Sequence, residues 1–245
     1  MELFTEQGNL QQLALCCAVV FVAAIAQMSV GMGFGMLASP VIALIKPEIV
    51  PGAIMIIGLF VALSGAWRER ANISPDDLKL GIGGRVAGSF TALLIITEIS
   101  DLDAFFILFG TIMLIAIVLT AIKPRLEFNP SNLFGLSIIS GLMGTITAVG
   151  APPMALIYHS QKPEIVRPTL NAFFASGCLL GLASLAMAGW LDLQDLVFTT
   201  LLVPAMLAGI GFSRYLMNLP AGFVSHALLV LSASASILLI VRGLS

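Results

Sequence analysis

Two apolar stretches, each interrupted by glycine and proline, organise the hydrophobic pattern of this chain. The first covers residues 10–45 and is interrupted at 31–40 (GMGFGMLASP); the second covers 133–158 and is interrupted at 144–153 (GTITAVGAPP). Glycine and proline disfavour helix interiors, and broken backbone at membrane depth must be buried in protein or line a cavity. A pair of interrupted segments at corresponding places predicts the binding site of a transporter.

Three uninterrupted apolar segments follow each interrupted one. We predict membrane-crossing helices at residues 52–67, 80–96, 104–122, 169–188, 196–212 and 222–241. Hydrophobic residues make up 59% of the chain and charged residues only 10%, whereas about a quarter of the residues in a soluble domain are charged. The fold class is therefore predicted to be all-α, a polytopic helical membrane protein embedded in the lipid bilayer.

An internal repeat divides the chain. Residues 46–50 (KPEIV) recur at 162–166, and just upstream residues 40, 43, 44 and 45 match 152, 155, 156 and 157. Both copies follow an interrupted segment and precede three spans. We interpret this as a duplication, with one transmembrane repeat at residues 1–122 and a second at 123–245.

The distribution of basic residues favours an inverted arrangement. If each interrupted segment is a hairpin that enters and leaves on one side, each half crosses the membrane three times and the halves are inverted. Two basic residues, Lys46 and Arg242, then lie on one side and eight on the other: Arg68, Arg70, Lys79, Lys123, Arg125, Lys162, Arg167 and Arg214. A single crossing of each interrupted segment gives six against four, so the positive-inside rule favours hairpins. The acidic turns near residues 98–103 and 192–195 then face outside.

Several other kinds of function receive little support. The net charge of −2 does not suggest a nucleic-acid partner, and the segment before residue 10 lacks the basic region of a cleaved signal peptide. Cys16, Cys17 and Cys178 lie in apolar runs and are interpreted as packing residues, with no metal-ligand spacing. An intramembrane enzyme would need a motif such as His-Glu-x-x-His, which His159 and His226 do not form. We expect no enzyme activity, cofactor or metal.

The Gly-x-Gly-x-Gly…Pro element at 31–40 and the Gly…Gly-Ala-Pro-Pro element at 144–153, in a chain of this length, resemble the TauE/SafE family, also called the 4-toluenesulfonate uptake permease family. The resemblance covers nearly the whole chain. It implies a secondary transporter in the bacterial cytoplasmic membrane that moves small sulfur-containing or organic anions, such as sulfite, sulfoacetate or organosulfonates. A passive anion channel or uniporter using the same site is the alternative.

An anion in a membrane needs donors to replace water, and helix N-termini offer unpaired N–H groups with a partial positive charge. We expect both half-helices to direct their N-termini at one point, with glycine allowing close approach to the backbone, Ser39, Thr145 and Thr147 adding hydroxyl donors, and Arg85 as an intramembrane cation. The candidate substrate-binding residues are Gly31, Gly33, Gly35, Ser39, Pro40, Arg85, Thr145, Thr147, Gly150, Ala151, Pro152 and Asn171.

Alternatives remain open at this stage. The glycines could instead serve close helix packing, and Arg85 could extend toward the membrane surface rather than contact an anion. Gln27 is a further candidate, whereas His226 is interpreted as a packed residue and His159 as interfacial or a proton carrier. No Asp or Glu lies deep in a predicted span, so the coupling ion is left open. Substrate identity, transport direction and the existence of a homo-oligomer are left open too.

Overall fold

The computed structural model describes residues 7–99, 101–122, 126–216 and 225–244, and in these ranges it contains helices and no strands. The α-helices are α1 Gln7–Val30, α2 Phe34–Ile45, α3 Gly52–Arg68, α4 Pro75–Glu98, α5 Leu102–Ile122, α6 Pro130–Thr147, α7 Ala151–Tyr158, α8 Pro163–Met187, α9 Leu193–Phe212 and α10 Ser225–Leu244. The prediction of an all-α fold is confirmed. Glu2, Glu6, Lys123, Arg125, residues 222–224 and the side chain of His226 lie outside the described residues.

Five of these helices are long and apolar enough to cross a membrane: α1, α4, α5, α8 and α9, the last together with the short turn after it. Helix α3, predicted to be a crossing, has only 17 residues and is about 26 Å long. The apolar helices α2 and α3 and the apolar stretch Ala233–Leu244 of α10 are shorter than these five. The chain is therefore a multi-pass membrane protein whose helices differ in length.

Several helix starts follow local sequence signals. Helix α4 begins at Pro75 and α6 at Pro130, the first-turn position where the missing N–H of proline has no cost. Asn129 caps α6, because its side chain accepts a hydrogen bond from the backbone N–H of Asn132 at 2.8 Å.

Each interrupted segment folds into a helical hairpin. Helix α2 packs back along α1. Lys46, which follows α2, is close enough to Cys16 in the middle of α1 for an electrostatic interaction between the two side chains. In the second hairpin, the rings of Phe128 and Tyr158 meet edge to face at 5.2 Å, so α7 returns toward the start of α6. The two arms are unequal in each hairpin, with 24 and 12 residues in the first and 18 and 8 in the second.

The interruptions are shorter than the sequence suggests. The first is confined to residues 31–33, and Pro40 lies inside α2; the second is confined to 148–150, so Thr145 and Thr147 belong to α6 and Pro152 to α7. Helix α8 also begins six residues earlier than predicted, at Pro163 rather than Thr169, and continues through Pro168. Pro163 suits the first helical position, where the N–H group has no partner within the helix, whereas Pro168 lies inside α8 and cannot donate the usual backbone hydrogen bond.

Helices from the two halves of the chain are interleaved. Helix α1 packs against α9 and α6 packs against α4, while α2 contacts α10 and α7 contacts α5. The pairs α3 with α8 and α5 with α10 complete the arrangement. If each helix is replaced by the helix five positions away in the chain, so that α1 becomes α6 and α9 becomes α4, every one of these contacts turns into another contact of the set or into itself. A duplication would produce this correspondence. The proposed boundary between the repeats and their inversion remain predictions.

Polar contacts gather at both ends of the helix assembly. At one end, Arg68 donates to Ser213 at 3.2 Å, and Arg167 pairs with Glu69 at 3.1 Å. At the other end, Asp195 lies against Gly52 at the start of α3. Asp195 is only 2% exposed and accepts a hydrogen bond from the backbone N–H of Asp192 at 2.9 Å. The acidic turn therefore contains a buried carboxylate, which its sequence position did not indicate.

Candidate functional site

The tips of the two hairpins are in direct contact. The Ser39 hydroxyl on α2 donates to the carbonyl of Thr147 at the end of α6, at 2.7 Å. Gly35 packs so closely on the carbonyl of Ala148 that a β-carbon at position 35 would overlap it. The absence of a side chain at Gly35 is therefore what allows the two breaks to meet.

A cavity of about 40 Å³ lies where the tips meet. Since one water needs roughly 10–15 Å³ by this measure, the cavity has room for about three waters, or for one small anion. Both hairpins and helices α3, α4 and α8 line it, through Gln27, Gly33, Phe34, Gly35, Met36, Ile54, Met55, Gly58, Arg85, Gly144, Ala148, Val149, Gly150, Ala151, Phe174, Gly177 and Cys178. None of these lining residues is acidic.

Arg85 contributes the formal positive charge of the cavity. Its side chain is 3% exposed and points into the protein, not toward the surface. One guanidinium nitrogen, Nη1, donates to the Ser140 hydroxyl at 2.8 Å, and the guanidinium carbon lies 5.1 and 5.8 Å from the ring centres of Phe173 and Phe174. Among the described residues, Nε has no hydrogen-bond partner. A buried cation with an unused donor favours binding of an anion.

Three glycines make room for the guanidinium. A β-carbon at Gly177 on α8 would overlap it, and one at Gly144 or Gly150 would lie 2.5 or 2.6 Å from its terminal nitrogens. Ser140 fixes the guanidinium relative to the second tip, because its hydroxyl accepts from Arg85 and also donates to the carbonyl of Gly150 at 2.6 Å. Two of these three glycines belong to the second interrupted element. There they accommodate an arginine, a role that differs from the predicted approach of substrate to bare backbone.

Two helix N-termini border the same cavity. Phe34, Gly35 and Met36 begin α2, and Gly150 and Ala151 begin α7. The residues that follow Ala151 are Pro152 and Pro153, which have no N–H, so the donors at this end of α7 are confined to Gly150 and Ala151. The partial positive charges of the two helix ends add to the charge of Arg85.

Gln27 closes the cavity on the side of the first tip. Its side-chain carbonyl accepts a hydrogen bond from the backbone N–H of Phe34 at 3.1 Å, which bridges the break. Its side-chain nitrogen donates to the carbonyl of Gly31 at 3.1 Å and to the side-chain carbonyl of Asn171 on α8 at 2.9 Å. One glutamine thus joins both sides of the break to a helix of the other half.

The sequence matches the family model for the sulfite exporter TauE/SafE over residues 16–239, nearly the whole chain. The chain belongs to the TauE/SafE family. Neither the curated proteins nor the solved structures contain a significant match to it. Membership of TauE/SafE confirms the resemblance seen in the sequence, and together with the five long apolar helices it agrees with a multi-pass membrane transporter.

The structure brings five of the predicted TauE/SafE site residues to the cavity: Gly33, Gly35, Arg85, Gly150 and Ala151. The others are buried but do not line it: Gly31, Ser39, Pro40, Thr145, Thr147, Pro152 and Asn171. Their contacts hold the tips in place. The Thr147 hydroxyl, for example, accepts a hydrogen bond from the N–H of Val149 at 3.2 Å, and the Thr145 hydroxyl donates to Ser89 at 3.0 Å.

Other cavity residues were not among the predicted site residues, notably Phe34, Met55, Phe174, Gly177 and Cys178. They lie in ordinary apolar stretches of α2, α3 and α8, so only the packing of these helices reveals them. Cys178, interpreted from sequence as a packing residue, faces the cavity. Gln27 carried a usable signal, since an amide four residues before the first break is rare in such an apolar segment.

Proposed function

We propose that this protein is a secondary transporter that carries small sulfur-containing or organic anions, such as sulfite, sulfoacetate or organosulfonates, across the bacterial cytoplasmic membrane. The observation that supports this best is Arg85, a buried cation beside a cavity that two helix N-termini also border. Of the described ion pairs, none involves Arg85. An anion would supply the missing negative charge.

The energetics agree with anion binding. An ion that leaves water for a membrane interior loses its hydration, and this cost is offset only by fixed donors and charges. Arg85 and the α2 and α7 N-termini are already oriented by packing and by the Ser140 hydrogen bond. The site therefore needs little reorganisation when an anion enters. The size of the cavity, about 40 Å³, suits sulfite better than large organosulfonates.

Anion flux in proteoliposomes tests the proposal. We expect the reconstituted protein to take up radiolabelled sulfite, and Arg85→Ala to lower the initial rate about tenfold or more, since a charge-assisted hydrogen bond contributes about 1.5–3 kcal/mol. Arg70→Ala is the matched control, because Arg70 is exposed and its guanidinium stacks on Trp67. Unchanged flux in a folded Arg85→Ala protein would remove Arg85 from the site.

Counterflow distinguishes a carrier from a channel. Vesicles loaded with unlabelled sulfite should accumulate labelled sulfite transiently against its gradient if the protein alternates between two states. A passive channel, which lets both pools equilibrate without exchange, would give no such overshoot. Counterflow in the wild-type protein that is absent in Arg85→Ala would tie the carrier activity to this cavity.

The proposal includes an inverted membrane topology. It is supported by the ends of the hairpins. Residues 46–52 after α2 lie near the Asp195 end of the assembly, whereas Phe128 and Tyr158 of the second hairpin share a cluster with Leu78 near the start of α4, at the opposite end. Single cysteines in place of Glu2 and Arg68, in a background without the native cysteines, should react with impermeant reagents from opposite sides. Labelling of both from one side would exclude the inverted arrangement.

A further inference from the structure

Two buried nitrogen donors in the described part of the chain lack a hydrogen-bond partner: Arg85 Nε and Asn171 Nδ2. Asn171 is completely buried, with 0% exposure. A buried donor without a partner loses about 1–3 kcal/mol, so such groups are rare and often mark a place for a ligand. Arg85 belongs to the cavity described above, whereas Asn171 does not line it. The amide of Asn171 therefore needs its own explanation.

Asn171 lies directly behind one residue of the cavity lining. Gln27 lines the cavity and donates to the Asn171 carbonyl oxygen at 2.9 Å. Gln27 thus shares the cavity with one unpartnered donor, Arg85 Nε, and is hydrogen-bonded to the residue that carries the other, Asn171. Across from Asn171, α3 presents Gly65, and a β-carbon there would lie 2.5 Å from Nδ2. A small residue on α3 is what leaves space for this amide between α3 and α8.

Helices α1, α3 and α8 meet around Asn171, and we call this contact region the seam. Beyond Asn171 the seam reaches a basic cluster. Arg167 is one turn before Asn171 on α8, and Arg68 is one turn after Gly65 on α3. Arg68 donates to the carbonyl of Met28, the residue after Gln27, at 3.0 Å. Glu69 supplies one negative charge and pairs with Arg167 at 3.1 Å. Two arginines and one glutamate leave a net positive charge at the partly buried end of the seam.

We propose that the transported anion passes between this cavity and the Arg68–Arg167 end of the protein through the seam past Gln27, and that the Asn171 amide is its next contact after Arg85. The proposal rests on the anion transport proposed above. Donors line the route in order: the guanidinium of Arg85, the amides of Gln27 and Asn171, and the arginines at the end. In this structure the Gln27–Asn171 hydrogen bond spans the seam between α1 and α8.

Asn171→Asp isolates the contribution of the unpartnered donor. The substitution retains the shape of the side chain and the oxygen that accepts from Gln27, and it replaces only Nδ2 by an oxygen. Near neutral pH the new carboxylate, close to Arg167 and Arg68, would carry a negative charge that repels an anion. We expect a fall of about tenfold or more in sulfite flux, with the folded protein retained in detergent.

The pH dependence of the flux separates repulsion from a structural defect. From about pH 9 to about pH 5, the ratio of Asn171→Asp flux to wild-type flux should rise, because a carboxyl in this fully buried position takes up a proton and loses its charge. The same ratio measured with methanesulfonate, which stays fully ionised over this range, excludes the titration of sulfite itself as the cause. Arg68, Glu69 and Arg167 are the charged groups around this position, and they are present in both proteins. The matched control is Asn132→Asp, since Asn132 lies at the start of α6, outside the seam.

A flux ratio near one for Asn171→Asp through about pH 9 would overturn the route. If that variant does not fold, Asn171→Leu serves instead: a loss of flux at every pH, in a protein that still unfolds cooperatively, supports the route, and wild-type flux overturns it. Failure of the proposed function gives a different pattern, in which the wild-type protein moves no sulfite. Loss of flux in Arg85→Ala with normal flux in both Asn171 variants would reject the route alone.

Discussion

The two hairpin tips meet at one cavity but reverse the chain by different means. The first tip uses glycine at positive φ, with Gly31 at 86° and Gly33 at 115°. The second tip places a non-glycine residue, Ala148, at φ 60°, a left-handed conformation that costs an L-residue about 1–2 kcal/mol. Glycine at the first tip thus serves the backbone, whereas glycine at the second tip serves Arg85.

The tips also differ in what stabilises them. The second tip depends largely on its own helix: the Thr147 hydroxyl donates to the carbonyl of Met143 at 2.7 Å, and Ser140 donates to the carbonyl of Gly150 at 2.6 Å. The first tip depends on Gln27 and, through it, on Asn171 of α8. The second tip is therefore held mainly by hydrogen bonds within its own hairpin, whereas the first is tied to α8.

The largest effect is expected where the two tips touch. Gly35→Ala would place a β-carbon on the Ala148 carbonyl, and neither backbone can move without separating the hairpins. We expect a loss of about 3 kcal/mol of stability together with loss of flux, measured by thermal unfolding in detergent and by sulfite uptake. Gly135→Ala is the control, since nothing lies within 4 Å of that position; equal stability of the two variants would show that the tips do not depend on this contact.

The next effect tests the backbone role of the first tip. A β-carbon on Gly33 would meet only the β-carbon of Ala26, at 4.0 Å, so the cost of Gly33→Ala comes from its φ of 115° and is about 2 kcal/mol. We expect lower thermal stability and flux in proportion to the folded fraction. A folded variant with fully retained stability but no flux would assign Gly33 to substrate contact instead.

A smaller loss of stability with a large loss of flux is expected at the second tip. In Gly150→Ala the new β-carbon would meet Arg85 Nη1 at 2.6 Å and both the hydroxyl and the backbone carbonyl oxygen of Ser140 at 2.8 Å. Two of these three neighbours are side-chain atoms that can move, and only the carbonyl belongs to the backbone of α6, so we expect a loss of about 1.5 kcal/mol. Displacement of the guanidinium should nevertheless lower sulfite flux about tenfold. Flux that falls no further than in Gly33→Ala would contradict the different roles of the two sets of glycines.

The smallest effect is a gain. Ala148→Gly removes the β-carbon from the residue at φ 60°, which we expect to raise stability by no more than about 1 kcal/mol and to leave flux unchanged. Thermal unfolding of Ala148→Gly and of Gly33→Ala, measured side by side, should then show a gain of stability in the first variant and a loss in the second. A loss of stability in Ala148→Gly would mean that the Ala148 side chain makes a packing contribution larger than its backbone cost.

The repeated pentapeptide shows how far local sequence can predict structure here. Residues 46–50 form a 3₁₀ turn, Pro47–Ile49, followed by extended Val50 with φ −107° and ψ 134°. The identical residues 162–166 begin α8. Proline at position 51 disfavours a helical conformation for Val50, and the second copy has Arg167 at that place. Arg167 also precedes a proline, yet it stays helical, with its side chain paired to Glu69 and its backbone packed on Gly31.

The sequence by itself determined the all-α membrane fold, the two interrupted segments, the presence of Arg85 inside an apolar span and membership of the TauE/SafE family, because apolar length, helix-breaking residues and a charge among apolar residues are local properties. Only the tertiary structure decided which glycines surround Arg85, that Asn171 lies behind Gln27, and that α3, α4 and α8 complete the cavity. These relations join residues that are far apart in the chain, and they depend on how the helices of the two halves pack between one another.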